Sequence, residues 1–306
     1  MTTIGVDVGG TRVRAGVVDR HGTVLDTVHG STPSGEEELE EAVCASVEEL
    51  RQRHTVSAVG LAVAGFVGSD RRTVLFAPHL PWRAAPVADR IADRIGLPVV
   101  LEHDANAAGV AEHRFGELRG ARVGLLIALG TGIGGALIVD GEVFRGAHGV
   151  APELGHLRLV PGGRRCGCGK AGCWERYCSG TALVATAIGL MAEHRSTVLA
   201  GVAERDLTGR LVASAARDGD PVAVLAVAEL ARWLGEGLAL AADVYDPDLV
   251  VIGGGVSDSA ELFLDDAQAH FHSVITGSGH RPAVRVRPAR LTQNAGIVGA
   301  ATLAAG

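Results

Sequence analysis

A strand–glycine turn–strand unit occurs twice in the sequence, and this repeat constrains the fold more than any other feature. It is formed first by residues 4–18 around Gly9-Gly10-Thr11, and again by residues 123–139 around Gly130-Thr131-Gly132. Short apolar segments bounded by glycine are typical of β-strands. The repeat predicts two lobes built alike, packed around a cleft of the kind that usually holds ligands.

Strands and helices alternate along the rest of the chain, which indicates the α/β class. Apolar residues at helical spacing predict a helix over residues 36–53, with an acidic first turn. We predict further helices over residues 87–95, 104–115 and 222–242, and strands over residues 23–28, 59–63, 99–101 and 249–252.

A single lysine, Lys170, excludes several classes of enzyme. Walker-A nucleotide sites, protein kinases and pyridoxal-phosphate enzymes each need a lysine in their own motif. Lys170 instead lies within a cluster of cysteines. None of these three classes fits the chain.

The charge balance argues against a nucleic-acid partner, since the formal net charge is −7 and no basic run occurs. The N-terminal residues lack the basic and apolar regions of a signal peptide. The uncharged run 123–139 is interrupted by glycines, so a membrane helix is not expected there. We therefore expect a cytoplasmic protein with no membrane partner.

Three glycine-rich segments are candidate nucleotide contacts. Asp7 precedes Gly9-Gly10-Thr11, whose backbone amides and hydroxyl suit a phosphate, and Asp7 could hold Mg²⁺ through water. A hairpin turn with a capping aspartate is the alternative for this segment. Gly130-Thr131-Gly132 offers the same groups in the second unit, and Gly253-Gly254-Gly255 could seat an adenosine.

Five motifs, in order along the chain, identify a resemblance to a known family. They are Asp7-Val8-Gly9-Gly10-Thr11, Glu102-His103-Asp104-Ala105-Asn106, Leu129-Gly130-Thr131-Gly132, Glu153-Leu154-Gly155-His156, and Cys166-Gly167-Cys168-Gly169 with Gly172-Cys173-Trp174-Glu175. Together they resemble the ROK (repressor, open reading frame, kinase) family of sugar kinases, and within it the actinobacterial ATP-dependent glucokinases. The resemblance covers nearly the whole chain.

The resemblance implies an actin/hexokinase-like ATPase fold, a ribonuclease H-like duplication with two lobes around a cleft. The expected small lobe comprises residues 1–118 plus 296–306, and the large lobe, with a zinc site, residues 119–295. The implied activity is ATP-dependent phosphorylation of the 6-hydroxyl of glucose, with Mg²⁺ and structural Zn²⁺ as cofactors. The implied assembly is a homodimer or homotetramer.

The resemblance also assigns roles to individual residues. Asp104 is the implied catalytic base, although an aspartate between a strand and a helix also suits an N-cap. The implied sugar contacts are Gly65, His103, Asp104, Glu153, His156 and Glu175. The implied nucleotide contacts are Asp7, Gly9, Gly10, Thr11, Arg12, Gly130, Thr131, Gly132, Gly253, Gly254 and Gly255.

His156, Cys166, Cys168 and Cys173 form the ligand set of a structural zinc site, with one imidazole and three thiolates. Buried free thiols are the alternative. Four protein ligands leave no position for water, so we expect the metal to stabilise structure and to fix the ring of His156. Cys44 and Cys178 fall outside the pattern and are predicted core residues.

The chain departs from the family pattern at four positions. His103 and His79 stand where the family usually has asparagine, Pro152 replaces a glycine, and Arg12 replaces a frequent lysine. His103 matters most, because it precedes the implied base. Three alternatives stay open. The first is a kinase for mannose, N-acetylmannosamine or allose, and the second is a glucokinase that uses polyphosphate. The third is a sugar-responsive regulator, which is disfavoured because the six residues before Asp7 are too few for a DNA-binding domain.

Overall fold

The computed structural model describes residues 2–193, 196–291 and 293–306. The α-helices in these ranges are α1 (Glu36–Arg51), α2 (Val87–Ile95), α3 (Asp104–Phe115), α4 (Gly180–Met191), α5 (Gly209–Arg217), α6 (Pro221–Tyr245), α7 (Leu264–Val274) and α8 (Ala295–Ala305). The strands are β1 (Thr3–Val8), β2 (Arg12–Val18), β3 (Val24–Ser31), β4 (Val59–Val63), β5 (Phe66–Val67), β6 (Val74–Phe76), β7 (Arg83–Ala85), β8 (Val99–His103), β9 (Val123–Leu129), β10 (Ile133–Val139), β11 (Glu142–Val143), β12 (Leu249–Gly253) and β13 (Arg285–Pro288).

Two five-stranded sheets have equivalent strand orders, as the sequence repeat predicts. The first has the order β3-β2-β1-β4-β8 and the second the order β11-β10-β9-β12-β13. In each, a run of three consecutive strands is followed by two strands from later in the chain. A short sheet of β5, β6 and β7, which the sequence did not predict, completes the strands. The fold is the mixed α/β ATPase fold that the resemblance implied.

The first sheet is covered on both faces. In this sheet β1 pairs antiparallel with β2 and parallel with β4, which is parallel to β8. Apolar side chains on one face pack against the buried stripes of α1 and α2. On the other face, Gly5 and Gly60 bring α8 so close that a Cβ at either glycine would lie within 2 Å of a helix carbonyl oxygen.

Contacts divide the chain into two compact units, each with its own buried core. The first unit comprises Met1–Leu126, Ala136–Pro152 and Gln293–Gly306, and the second Ile127–Gly135 and Glu153–Thr292. This division differs from the predicted lobes, because residues 119–126, 136–152 and 293–295 belong with the first unit. Close packing between α3 and β10 explains part of the difference. Gly109 of α3 lies so near β10 that a Cβ there would be 2.6 Å from the Cβ of Ala136, so residues from Ala136 onward pack with the first unit.

The predicted helices and strands agree with the structure to within a few residues at their ends. The predicted helix 222–242 is the central part of α6, which begins at Pro221. Asp220 is its N-cap residue, and the carboxylate of Asp220 accepts from the amide of Ala223 at 3.0 Å.

Among the described residues, no helix combines the length and apolar character needed to cross a membrane.

Candidate active site

Asp104 lies where β8 ends and α3 begins, in the first unit. Its Oδ1 accepts from the amide of Ala105 at 2.7 Å and lies 3.2 Å from Nε2 of His103. The side chain of Asp104 is 43% exposed and that of His103 is 19% exposed. His103, rather than Asp104, occupies the N-cap, so Asp104 is the first residue of the helix. Its carboxylate is thus accessible and oriented by a short hydrogen bond.

A buried carboxylate, Glu102, lies directly behind this junction. It begins one of the five sequence motifs, but the sequence analysis assigned it no role. Its Oε2 accepts from Nε and Nη2 of Arg145 at 2.8 and 2.6 Å, and Nε of Arg71 lies 3.7 Å away. Its Oε1 accepts from Nδ2 of Asn106 at 3.0 Å. A glutamate directly after the apolar run of residues 99–101 was the available signal, because a glutamate is rarely buried without a partner.

Asp7 is the residue before the last of β1 and lies directly opposite Arg14 of β2. Nη2 of Arg14 donates to Oδ2 of Asp7, and Nη1 donates to the carbonyl oxygen of Gln293 at 2.8 Å. Burial raises the pKa of Asp7, and the guanidinium of Arg14 opposes that rise. The hydrogen bond from Arg14 uses Oδ2 of Asp7, and a carboxylate at this position suits a Mg²⁺ ion held through water.

Residues 9–12 form a turn that is held from β3. The amide of Gly9 donates to the carbonyl of Arg12 at 3.1 Å. Thr32, just past the end of β3, donates its hydroxyl to the carbonyl of Gly9 at 2.7 Å and its amide to the carbonyl of Thr11 at 3.1 Å. Sequence reasoning missed Thr32, which is distant from the turn along the chain. Gly10, Thr11 and Arg12 are exposed, so their polar groups are open to a ligand.

Gly65 also belongs to the first unit and follows β4. A Cβ there would lie 2.7 Å from the Cβ of Ala77 and from the carbonyl oxygen of Phe76. The close approach of these two backbone segments requires a glycine. A Cβ at Gly10 would similarly lie 2.9 Å from the Cβ of His79. His79, which stands where the family usually has asparagine, therefore lies beside the first glycine turn.

In the second unit, Gly130 and Thr131 open onto a cavity of about 910 Å³. Gly255 also lines it, and the remaining wall is largely apolar, with side chains such as Leu183, Ile188, Val227 and Phe263. The size lies within the range of cofactor pockets. Two of the three predicted glycine segments therefore contribute to one cavity. In the second of them only Gly255 lines it, because Gly254 packs against the backbone of Leu129 and Gly253 ends β12.

Gly130 is fixed by two backbone hydrogen bonds. Its amide donates to the carbonyl of Gly132 at 3.0 Å, and its carbonyl accepts from the amide of Gly180 at 2.8 Å. A Cβ at Gly130 would meet no atom within 4 Å, whereas one at Gly132 would lie 2.4 Å from Oε2 of Glu175. The two glycines of this turn thus face different surroundings.

His156, Cys166, Cys168 and Cys173 bring their ligand atoms within 4.8 Å of one another. Nδ1 of His156 lies 3.7 Å from Sγ of Cys166, and Sγ of Cys168 lies 3.6 Å from Sγ of Cys173. A tetrahedral zinc with Zn–S bonds of about 2.3 Å would separate its ligand atoms by about 3.7 Å. The residues present therefore fit a zinc ion.

The backbone of the cluster is held by the only lysine of the chain. Nζ of Lys170 donates to the carbonyl of His156 at 2.9 Å. Burial raises the pKa of Cys166 to about 12, and Sγ of Cys166 donates to Oε1 of Glu175 at 2.9 Å. Without a metal ion Cys166 therefore favours the protonated thiol, whereas a bound cation would favour the thiolate.

Outside the cluster, Cys178 is buried and Cys44 is half-buried on α1, broadly as predicted.

The two glutamates predicted to contact sugar lie on opposite sides of the imidazole of His156. Nε2 of His156 lies 3.8 Å from Oε2 of Glu153, and Nδ1 lies 3.7 Å from Oε1 of Glu175. All three groups belong to the second unit. Nδ1 thus lies toward Cys166 and Glu175, whereas Nε2 lies toward Glu153.

Comparison with known proteins agrees with these features. The ROK family model matches residues 3–306. A glucokinase of Streptomyces coelicolor is 45% identical over 99% of this chain and 97% of its own, and a glucokinase of Thermotoga maritima is 33% identical over 98% and 96%. The crystal structure of a ROK family glucokinase from Streptomyces griseus in complex with glucose and AMPPNP has a TM-score of 0.91 and 46% identity, covering 100% of this chain and 99% of that one. The chain belongs to the ROK family.

Proposed function

We propose that this protein is a glucokinase that transfers the γ-phosphoryl group of ATP to the 6-hydroxyl of glucose. The observation that carries the proposal is the accessible carboxylate of Asp104 in a chain 46% identical to a glucokinase structure with glucose and AMPPNP. Phosphoryl transfer needs positioning, charge neutralisation and a base near the attacking oxygen. Asp104 accepts the proton of the 6-hydroxyl as that oxygen attacks phosphorus.

The donor is bound by the two glycine turns and the apolar cavity. The proposed phosphate contacts are Gly9, Gly10, Thr11 and Arg12 of one turn and Gly130, Thr131 and Gly132 of the other. The cavity beside Gly130 takes the adenosine, with Gly255 in its wall. Gly253 and Gly254, which directly precede Gly255, are the other proposed contacts of the adenosine. Asp7 would hold Mg²⁺, which would supply charge neutralisation on the phosphates.

The sugar is bound by carboxylates and imidazoles, each of which can bond a pair of hydroxyls. The proposed contacts are Glu153, His156, Glu175, Gly65 and His103. A zinc ion held by His156, Cys166, Cys168 and Cys173 would be structural, and it would fix the ring of His156 with Nε2 left to face the sugar. We further propose that the protein works in the cytoplasm as a homodimer or homotetramer.

A kinase assay over a sugar panel tests this function. Glucose, mannose, N-acetylmannosamine and allose are each offered with ATP and with polyphosphate, and the position of the phosphate is determined by NMR. We expect the highest kcat/KM for glucose with ATP and the phosphate on oxygen 6. A higher kcat/KM for another hexose, or for polyphosphate, would replace the proposal with the corresponding alternative.

A further inference from the structure

We propose that Glu102 and Arg145 form a positioning pair that sets the direction of the Asp104 carboxylate. Neither residue belongs to the proposed binding machinery, and neither touches the reacting atoms. The kinetic part of this inference rests on the proposed glucokinase function, whereas the structural part does not.

The first step of the argument is the way Glu102 holds the strand–helix junction. Its Oε1 accepts from the backbone amide of His103 at 3.1 Å and from Nδ2 of Asn106 at 3.0 Å. These partners flank Asp104 on both sides along the chain. A shift of the Glu102 carboxylate would therefore move His103, which precedes Asp104, and also the first turn of α3, which begins at Asp104.

Arg145 fixes that carboxylate from the opposite side. Both Nε and Nη2 donate to Oε2 of Glu102, at 2.8 and 2.6 Å, and the side chain of Glu102 is only 3% exposed. Hydrogen bonds between charged groups are short and strong, and the planar fork of arginine fixes direction as well as distance. Lysine would keep the charge but lose the fork.

Arg145 also closes the segment that follows β11. Its Nη1 donates to the carbonyl of Val143 at 3.3 Å, and its own carbonyl accepts from the amide of Ala151 at 3.1 Å. Ala151 precedes Pro152 and Glu153, so the residue that anchors the base also anchors the segment leading to a proposed sugar contact. One ion pair thus stabilises two local structures on which the reaction depends.

A second buried glutamate in the same unit provides an internal control. The side chain of Glu40, on α1, is 2% exposed, and its oxygens lie 3.1 Å from Nη1 of Arg90 and 3.3 Å from Nη2 of Arg94. Like Glu102, it is a buried carboxylate with two arginines. A purely structural role predicts similar consequences for both pairs, whereas a positioning role predicts a kinetic effect for Glu102–Arg145 alone.

The experiment compares Arg145→Lys and Glu102→Gln with Arg90→Lys and Glu40→Gln in the full chain. We expect kcat for glucose to fall at least tenfold in the first pair, the Kd for AMPPNP to change less than threefold, and kcat to stay within twofold of wild type in the second pair. In an Asp104→Asn background, Arg145→Lys should lower the residual rate by less than twofold, because the group it positions is already removed.

Hydrogen exchange gives a readout that does not depend on the sugar. We expect peptides spanning residues 101–106 and 144–152 to exchange at least tenfold faster in Arg145→Lys and at the wild-type rate in Arg90→Lys. The nearly isosteric Glu102→Gln serves if Arg145→Lys does not fold. Equal kinetic losses in both pairs, or unchanged exchange at 101–106, would overturn the inference. Absence of glucose phosphorylation by the wild type would refute the proposed function, and the exchange experiment would still decide the structural part.

Discussion

Nε2 of His103 lies 3.2 Å from Oδ1 of Asp104, so the residue that departs from the family pattern contacts the proposed base itself. The same oxygen accepts from the amide of Ala105 at 2.7 Å. His103 therefore limits the orientations that the carboxylate can adopt. Its side chain is also partly exposed and so can reach a ligand beside Asp104.

The first prediction concerns this contact. His103→Asn replaces the imidazole with a shorter amide that cannot span the same distance to Asp104. We expect kcat/KM for glucose to fall about tenfold, or roughly 1.4 kcal/mol, the scale of one polar contact in a buried site. Initial rates with glucose, mannose and N-acetylmannosamine test this. Identical rates and an identical sugar preference would mean that His103 orients neither the base nor the sugar.

Asp104→Asn should bind glucose but lose turnover. Asparagine has nearly the same shape, so the fold should be retained, but its amide cannot accept the hydroxyl proton. We expect kcat to fall by about 10²- to 10⁴-fold, the usual contribution of a general base. Calorimetry measures glucose binding and a coupled assay measures kcat. Turnover near the wild-type value would disprove the assignment of Asp104.

We predict one zinc ion per chain, bound by His156, Cys166, Cys168 and Cys173. Because binding energy at such a site is folding energy, chelation should destabilise the second unit and abolish activity indirectly. Elemental analysis and a thermal melt check this. Cys173→Ser should lose the metal, whereas Cys44→Ser, outside the cluster, should retain it.

Thiol titration gives an independent measure of the same site. Burial raises the pKa of the Cys44 and Cys178 thiols, so both should react slowly with a maleimide at neutral pH. Removal of the metal should therefore add at least one reactive thiol, that of Cys168, which is the exposed cysteine of the cluster. A reactive thiol count that is unchanged by chelation would argue against the zinc site.

The sequence predicted what depends on short-range pattern and not what depends on distant contacts. The periodicity of residues 36–53 predicted α1, and the spacing of His156 and the cysteines predicted a cluster that the fold does bring together. Arg14 could have been found, because the turn after β1 sets the register that places it opposite Asp7. Arg145 could not, since it meets Glu102 across 43 residues of chain. That pairing follows only from packing.

Close approach of α8 to the first sheet predicts a stability effect. A Cβ at Gly60 would lie 1.9 Å from the carbonyl oxygen of Ala300, so Gly60→Ala must displace the helix. We expect a loss of about 1–3 kcal/mol or more in the free energy of unfolding, as for overpacked cores. Gly30→Ala, on β3 of the same sheet, is the matched control, because its Cβ would meet no atom within 4 Å. Urea unfolding of both variants measures the difference.

The two glycines of the second glycine turn separate the proposed sugar and donor contacts. In Gly132→Ala, the new Cβ would lie 2.4 Å from Oε2 of Glu175. That oxygen is the end of a flexible side chain, so Glu175 can move away at little cost in stability. If Glu175 binds the sugar, its displacement should weaken glucose binding at least tenfold, or about 1.4 kcal/mol.

Gly130→Ala is the matched control, because the added methyl group meets no protein atom within 4 Å and leaves Glu175 in place. Gly130 lines the cavity proposed for the nucleotide, so this variant should weaken AMPPNP binding and leave glucose binding within twofold of wild type. Calorimetric titration of both variants with both ligands gives the four affinities. Unchanged glucose affinity in a folded Gly132→Ala variant would remove Glu175 from the sugar site, because the substitution cannot be accommodated without moving its carboxylate.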